Sequence, residues 1–330
     1  MGLLLSLFFG FVPMILFAGI LFWLDRYEKE PPWLLGLVFI WGAVVAAGVA
    51  FVINTVLGIG FYLMSGSEAL TNLATGSLVA PPVEETLKGL AVLLVFLIFY
   101  NEFDSVLDGI VYAGVTALGF AATENAYYIY TYGYLEGGYE GLLWLVFVRV
   151  ILVGWQHPFY TAFIGIGLAL ARLNRFWGVR LLAPLAGWGL ALFTHALHNT
   201  LASLLTGLGG LAVGTLFDWA GWFLMFLVIL WALWDVQQRL RKYLREEVTL
   251  GLISPAQYRT ASSAWAQTYA RLVGLLNGHY RHSKQLYQLL AELAHKKYQL
   301  HQFGEERGNS RQITRLRQQI AALTVDVGGR

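Results

Sequence analysis

Residues 33–64 read WLLGLVFIWGAVVAAGVAFVINTVLGIGFYLM, and this stretch decides the fold. A bilayer crossing needs about 20 apolar residues in a helix. The stretch exceeds that, and it is not alone. Comparable apolar runs fall at 3–23, 83–100, 106–132, 142–171, 181–205 and 211–234, which predicts about seven spans, several long enough to tilt, break or protrude. The interval 70–82, ending in Pro81-Pro82, is expected to be a loop or a short re-entrant piece. The first run lacks a positive n-region and a small-residue cleavage site before Asp25, so it reads as a retained helix.

Composition agrees. Of 330 residues, 57% are hydrophobic, 15% aromatic and only 13% charged, against about 25% charged in soluble domains. Mean hydropathy is +0.59. Without cysteine, the chain has no disulfide framework, thiolate metal site or cysteine nucleophile. The net charge of +2 hides an asymmetry: residues 1–234 hold 7 Lys/Arg and 13 Asp/Glu, residues 235–330 hold 15 and 7. The fold class is therefore all-α, a polytopic membrane helix bundle over 1–234 followed by a basic cytoplasmic helical tail over 235–330. The tail suits an anionic membrane surface, a copy of itself or a cytoplasmic contact. It holds no nucleic-acid module.

Orientation follows the positive-inside bias. Arg26 and Lys29, then Arg172, Arg175 and Arg180, then Arg239, Arg241, Lys242 and Arg245 all fall on alternate connections that share one side. The intervening loops 65–82, 133–141 and 206–210 have no Lys or Arg. The expectation is an outside N-terminus and a cytoplasmic C-terminus. In the tail, Ser254-Pro255 reads as an N-cap and first turn, with helices over 255–277, 280–302 and about 310–323.

Charges inside spans cost roughly 2.5–3.5 kcal/mol each on insertion scales and face the bundle interior when they persist. Glu84, Glu85 and Lys88 open the third span, Glu124 and Asn125 end the fourth, Arg149 and His157 lie in the fifth, and His195, His198 and Asn199 in the sixth. Lys88 is three and four residues from the two acids, so it neutralises one while the other works. Acids at a helix start also complement its dipole without any chemistry, and Glu124 has a structural alternative as an ion pair with Arg149 or Lys88. Pro158 is expected to bend its helix and open space beside His157. His195 and Asn199 share a helix face, and their side chains suit base, ligand and oxyanion roles. At 1.5 Å per residue, Glu124 lies about 27 Å and His195 about 21 Å above the inner ends of their spans. That places both in the outer half with Glu84; His157 joins them if its long helix protrudes.

The ordered set Glu84-Glu85-x-x-Lys88, Phe103-Asp104…Leu107-Asp108-Gly109-Ile110-Val111-Tyr112, Gly119-Phe120-Ala121-Ala122-Thr123-Glu124-Asn125, His157 and His195-x-x-x-Asn199 resembles the PrsW family of intramembrane proteases, relatives of the CAAX-processing and bacteriocin-immunity type enzymes. The likeness covers about residues 80–200. It implies a bacterial cytoplasmic-membrane endopeptidase acting on a membrane-anchored protein, as in the first cut of an anti-sigma factor. It also implies functional roles for Glu84, Glu85, Glu124, His157, His195 and Asn199. On this reading Glu84 is the base on water, Glu85 and Lys88 support it, and Asn199 with His198 stabilises the oxyanion. In a metal-assisted variant Glu124, His157 and His195 ligate Zn²⁺; in a metal-free variant His157 or His195 partners Glu84. No His-Glu-x-x-His helix is present to mark zinc independently. The residue types alone also permit a proton- or ion-coupled transporter, or a scaffold whose polar groups glue helices together.

Overall fold

The computed structural model describes residues 1–25, 27, 29–205, 207–305 and 308–328, so Arg26 of the first charged loop lies outside it. All regular structure among the described residues is helical. The chain forms two compact units: Met1–Leu24 with Glu30–Val228, and Asp25–Lys29 with Ile229–Arg330.

In the first unit, α1 (Gly2–Leu24) precedes α2 (Pro32–Ile40), which continues through a π-helical turn at Trp41–Ala46 into α3 (Ala47–Ser65). The 70–82 interval is not a loop. Helix α4 (Glu68–Ala74) and a π turn at Thr75–Val79 run directly into α5 (Ala80–Ile98). Pro81 and Pro82 lie immediately after the π turn, where the helix changes its hydrogen-bond spacing and loses the ladder bonds that their missing N–H groups would make. Then come α6 (Val106–Tyr128), α7 (Leu135–Val146), α8 (Gln156–Leu173), α9 (Trp177–Leu204) and α10 (Gly207–Tyr243).

Helix α6 is the axis of this unit, buried at every position from Val106 to Ala122. Its start is fixed by a capping box: Ser105 Oγ accepts from the Asp108 amide at 3.3 Å, and Asp108 Oδ2 accepts from the Ser105 amide at 2.7 Å. Asp108, part of the resemblance motif, thus starts the axis helix. Small residues let neighbours reach its backbone. A Cβ added at Gly165 of α8 would lie 2.0 Å from the Gly109 carbonyl oxygen, and one at Gly42 would lie 1.9 Å from that of Thr116. Only glycine fits either crossing.

Five helical stretches among the described residues are long and apolar enough to cross a membrane: Gly2–Leu24, Pro32–Ser65, Val106–Leu173, Trp177–Leu204 and Gly207–Thr249. The protein is a multi-pass membrane protein. The difference from seven arises at two places. Helix α5 carries three charges, and 106–173 counts as a single apolar stretch although the chain turns within it at Gly138, where φ is 60° and ψ −144°. The expected fifth span also breaks: Val153 leaves the helical region and α8 starts afresh at Gln156. Pro158 therefore sits in the first turn of α8 and bends nothing, a correction to the expected kink. The interruption beside His157 is real but lies upstream of the proline.

The second unit contains the end of α10 and α11 (Arg245–Thr249), α12 (Pro255–Ala261), α13 (Ala264–Leu276), α14 (Tyr280–Phe303) and α15 (Asn309–Gly328). Ser254 and Gln257 form the expected cap. A second cap at Ser263 divides the expected 255–277 helix in two. Leu240, Leu244, Ile253, Leu290, Leu293 and Ile320 form a buried core, and Tyr27 from the 25–29 segment is packed into it. The Tyr27 hydroxyl accepts from the Ala264 amide at 3.2 Å. Glu247, fully buried, accepts from Lys297 and from both Nε and an Nη of Arg317.

Candidate metal and catalytic centre

Helix α5 supplies two acids and a base within one turn. Glu84, Glu85 and Lys88 are all buried. Lys88 donates to Glu85 Oε1 at 2.5 Å, and lies 3.9 Å from Glu84 Oε2. The i,i+3 pair is thus the tight one, and Glu84 is left the freer carboxylate. Its Oε1 accepts from the Asn54 amide at 3.3 Å, while Oε2 has no hydrogen-bond partner among the described residues.

Helix α9 brings His195 against both acids. Nδ1 lies 2.9 Å from Glu85 Oε1, and Nε2 lies 3.8 Å from Glu84 Oε2. With the proton assigned to Nδ1 by its carboxylate partner, the Nε2 lone pair faces the unpartnered oxygen. Tyr160 stacks on the ring at 4.8 Å and Thr161 donates to Glu85 Oε2 at 2.8 Å, so Glu85 is saturated.

His157, in the first turn of α8, lies between two elements. Its Nε2 is 2.9 Å from Glu124 Oε2 of α6, and its Nδ1 is 3.2 Å from Lys88 Nζ. Glu124 also accepts from Arg149, whose Nε donates to Asn125 at 2.9 Å. Each histidine therefore has one nitrogen held by a carboxylate, and the other turned toward Glu84 or Lys88.

Among the described residues, Glu84, His157 and His195 form the group able to hold a metal, with ligand atoms all within 4.8 Å of one another. Glu124, expected as the acidic ligand, instead sits on the far nitrogen of His157, where it orients the ring. The donor set fits a zinc-type cation: two imidazoles and a carboxylate leave an open position, and both imidazoles have a carboxylate behind them. The buried orphan oxygen of Glu84 fits as well. Three carboxyl groups, Glu84, Glu85 and Glu124, stand against two basic side chains, Lys88 and Arg149, so the cluster has one more acid than base, as a cation site needs.

Asn199 is not in this group. Its amide donates to the Gly76 carbonyl at 2.8 Å and ties α9 to the π turn before α5. His198 turns instead to Asp218, at 3.0 Å from Nδ1 to Oδ1, and Gln156 donates to the same carboxylate at 2.6 Å. Sequence reasoning did not single out Asn54 and Thr161, which touch Glu84 and Glu85, or Gln156 and Asp218, which hold His198. Asp218 carried a usable signal, since it is an acid within an apolar run.

The family model for "PrsW family intramembrane metalloprotease" matches residues 30–234. Protease PrsW of Geobacillus kaustophilus is 28% identical over 156 residues, 47% of this chain and 62% of that relative, which is less than two thirds of its length. Protease PrsW of Bacillus subtilis is 27% identical over 231 residues, 67% of this chain and 88% of the relative. That of Clostridioides difficile is 35% identical over 114 residues, 34% of this chain and 46% of the relative. No solved structure matches. The aligned region contains every element of the buried cluster, and the chain belongs to the PrsW family of intramembrane metalloproteases.

Proposed function

We propose that the chain is a membrane-embedded endopeptidase that hydrolyses a peptide bond of a membrane-anchored protein, with Glu84, His157 and His195 as the ligands of a zinc ion. The observation that carries this reading is the convergence of those side chains around a buried carboxylate oxygen without a hydrogen-bond partner. When bound, zinc supplies Lewis acidity and makes water reactive near neutral pH. The rest is the work of the chain. Glu85 takes the Nδ1 proton of His195 as a hydrogen bond and fixes the ring with Nε2 toward Glu84. Glu124, anchored by Arg149, does the same for His157 through Nε2. Lys88 offsets the charge of Glu85 and stands 3.2 Å from His157 Nδ1, the nitrogen that would face the metal.

One observation favours a metal-free second reading: Lys88 already places a cation beside Glu85 and His157. Glu84 Oε2 then takes the proton of water directly, as a general base. Metal analysis of the purified protein against a His157→Ala/His195→Ala double variant separates the two. The function itself is tested with the full-length chain in lipid and a single-span membrane protein labelled outside its span. Cleavage that persists undiminished in Glu84→Gln ends the proposal.

The membrane is the bacterial cytoplasmic membrane, and the substrate class is that of an anti-sigma factor cut at its first site. We assign seven crossings, α5 and the two arms meeting at Gly138 each counting as one. The N-terminus lies outside and the C-terminus in the cytoplasm. Two observations support this side: the cations confined to alternate connections, and Tyr27 of the first connection enclosed in the core of the C-terminal unit.

A further inference from the structure

Helix α13 is amphipathic the wrong way round for a soluble helical unit. Its inward face consists of Ala264, Gln267, Ala270 and Gly274, and Gln267 is only 1% exposed. Its outward face carries Tyr269 at 70%, Leu272 at 57% and Leu276 at 84% exposure, with Trp265 and Leu275 beside them. Positions 265, 269, 272 and 276 follow the i, i+4, i+7, i+11 spacing of a single helical stripe. A folded unit that buries an amide and presents two aromatics and three leucines has reserved that stripe for something else.

We propose that this stripe docks into the membrane interface, on the leaflet at the C-terminal end of α10, and that the ligand of α13 is anionic lipid. The charge around it supports that occupant. From Leu250 to Ala291 there is no Asp or Glu, whereas the exposed Arg259, Arg281 and Lys284 fall in this interval, together with Arg271, which donates to Gln267. Tryptophan and tyrosine beside leucine are the side chains that settle at headgroup depth, and neighbouring cations gain from anionic lipid. Chain continuity supports it too. The unit begins within α10, whose apolar stretch Gly207–Thr249 is of spanning character, so the unit is tethered directly to a spanning helix. The inference does not depend on the peptidase reading.

The absence of native cysteine makes the test direct. Leu272→Cys and, as a solvent-facing reference, Gln285→Cys are introduced singly into the full-length chain and labelled with a nitroxide. Each is reconstituted at one chain per nanodisc, in phosphatidylcholine with phosphatidylglycerol. At position 272, collisions with a water-soluble nickel complex are expected to fall several-fold below those at 285, while collisions with oxygen rise. Removal of phosphatidylglycerol is expected to restore part of the nickel access. Equal nickel access at the two positions overturns the proposal. Protection that appears only with two chains per disc also overturns it, and assigns the stripe to a second copy of the chain.

Discussion

His195 Nδ1 lies 2.9 Å from Glu85 Oε1, an oxygen that simultaneously accepts from Lys88. A carboxylate so engaged is a poor base for water and a good anchor for a ring. Glu85→Gln is therefore expected to lower metal affinity or turnover by about 10- to 100-fold, the usual cost of losing such a support. Zinc titration followed by cleavage kinetics at saturating zinc checks this; a positioning role predicts that turnover recovers in part as the metal is restored.

Glu84→Gln separates chemistry from folding. The substitution is nearly isosteric and removes a buried charge whose Oε2 makes no hydrogen bond among the described residues. Cleavage should vanish while thermal stability in detergent holds, because glutamine keeps the side chain's volume and its oxygen can still accept from Asn54. A large fall in stability would mean that Glu84 holds the fold together and that its loss of activity is secondary.

The two imidazoles are expected to account for the metal. Purified His157→Ala/His195→Ala should retain a small fraction of the wild-type zinc by elemental analysis, and a chelator should abolish wild-type cleavage reversibly. Glu124→Gln should retain more metal than either single histidine variant, because Glu124 touches the far nitrogen of His157 and is not among the three side chains that could hold the ion.

Helix crossings give a prediction away from the site. Gly109→Ala places a methyl 2.3 Å from the Gly165 carbonyl oxygen, whereas the same change at Gly36 meets open space. Overpacking of this kind costs about 1–3 kcal/mol. Denaturation in detergent should show that loss for Gly109→Ala and no loss for Gly36→Ala.

The polar residues of the site were legible because lipid makes them conspicuous. Glu84, Glu85, Lys88, Glu124, His157 and His195 stand out against apolar runs, and all six converge. Their pairing was not legible. Whether Glu84 or Glu124 faces the histidines depends on helix rotation and on which ring nitrogen each carboxylate takes, and spacing along one helix carries neither. Asn199 shows the same gap, since the spacing that relates it to His195 says nothing of the Gly76 carbonyl to which its side-chain amide donates. Long runs predict breaks, but the place of this one at 153–155 is not legible, because Val153, Gly154 and Trp155 are as apolar as a helix interior, while the proline that suggests a bend stands at 158.

Tyr27 and Ala264 meet across 237 positions of chain. The family match runs from 30 to 234, so a protein trimmed to that match would lose both the tyrosine and the pocket that encloses it. During synthesis the tyrosine must likewise wait, with every apolar run inserted, before its surroundings emerge from the ribosome. The tail is thus a late-closing clasp on the earliest connection, and shortening the chain leaves that connection open.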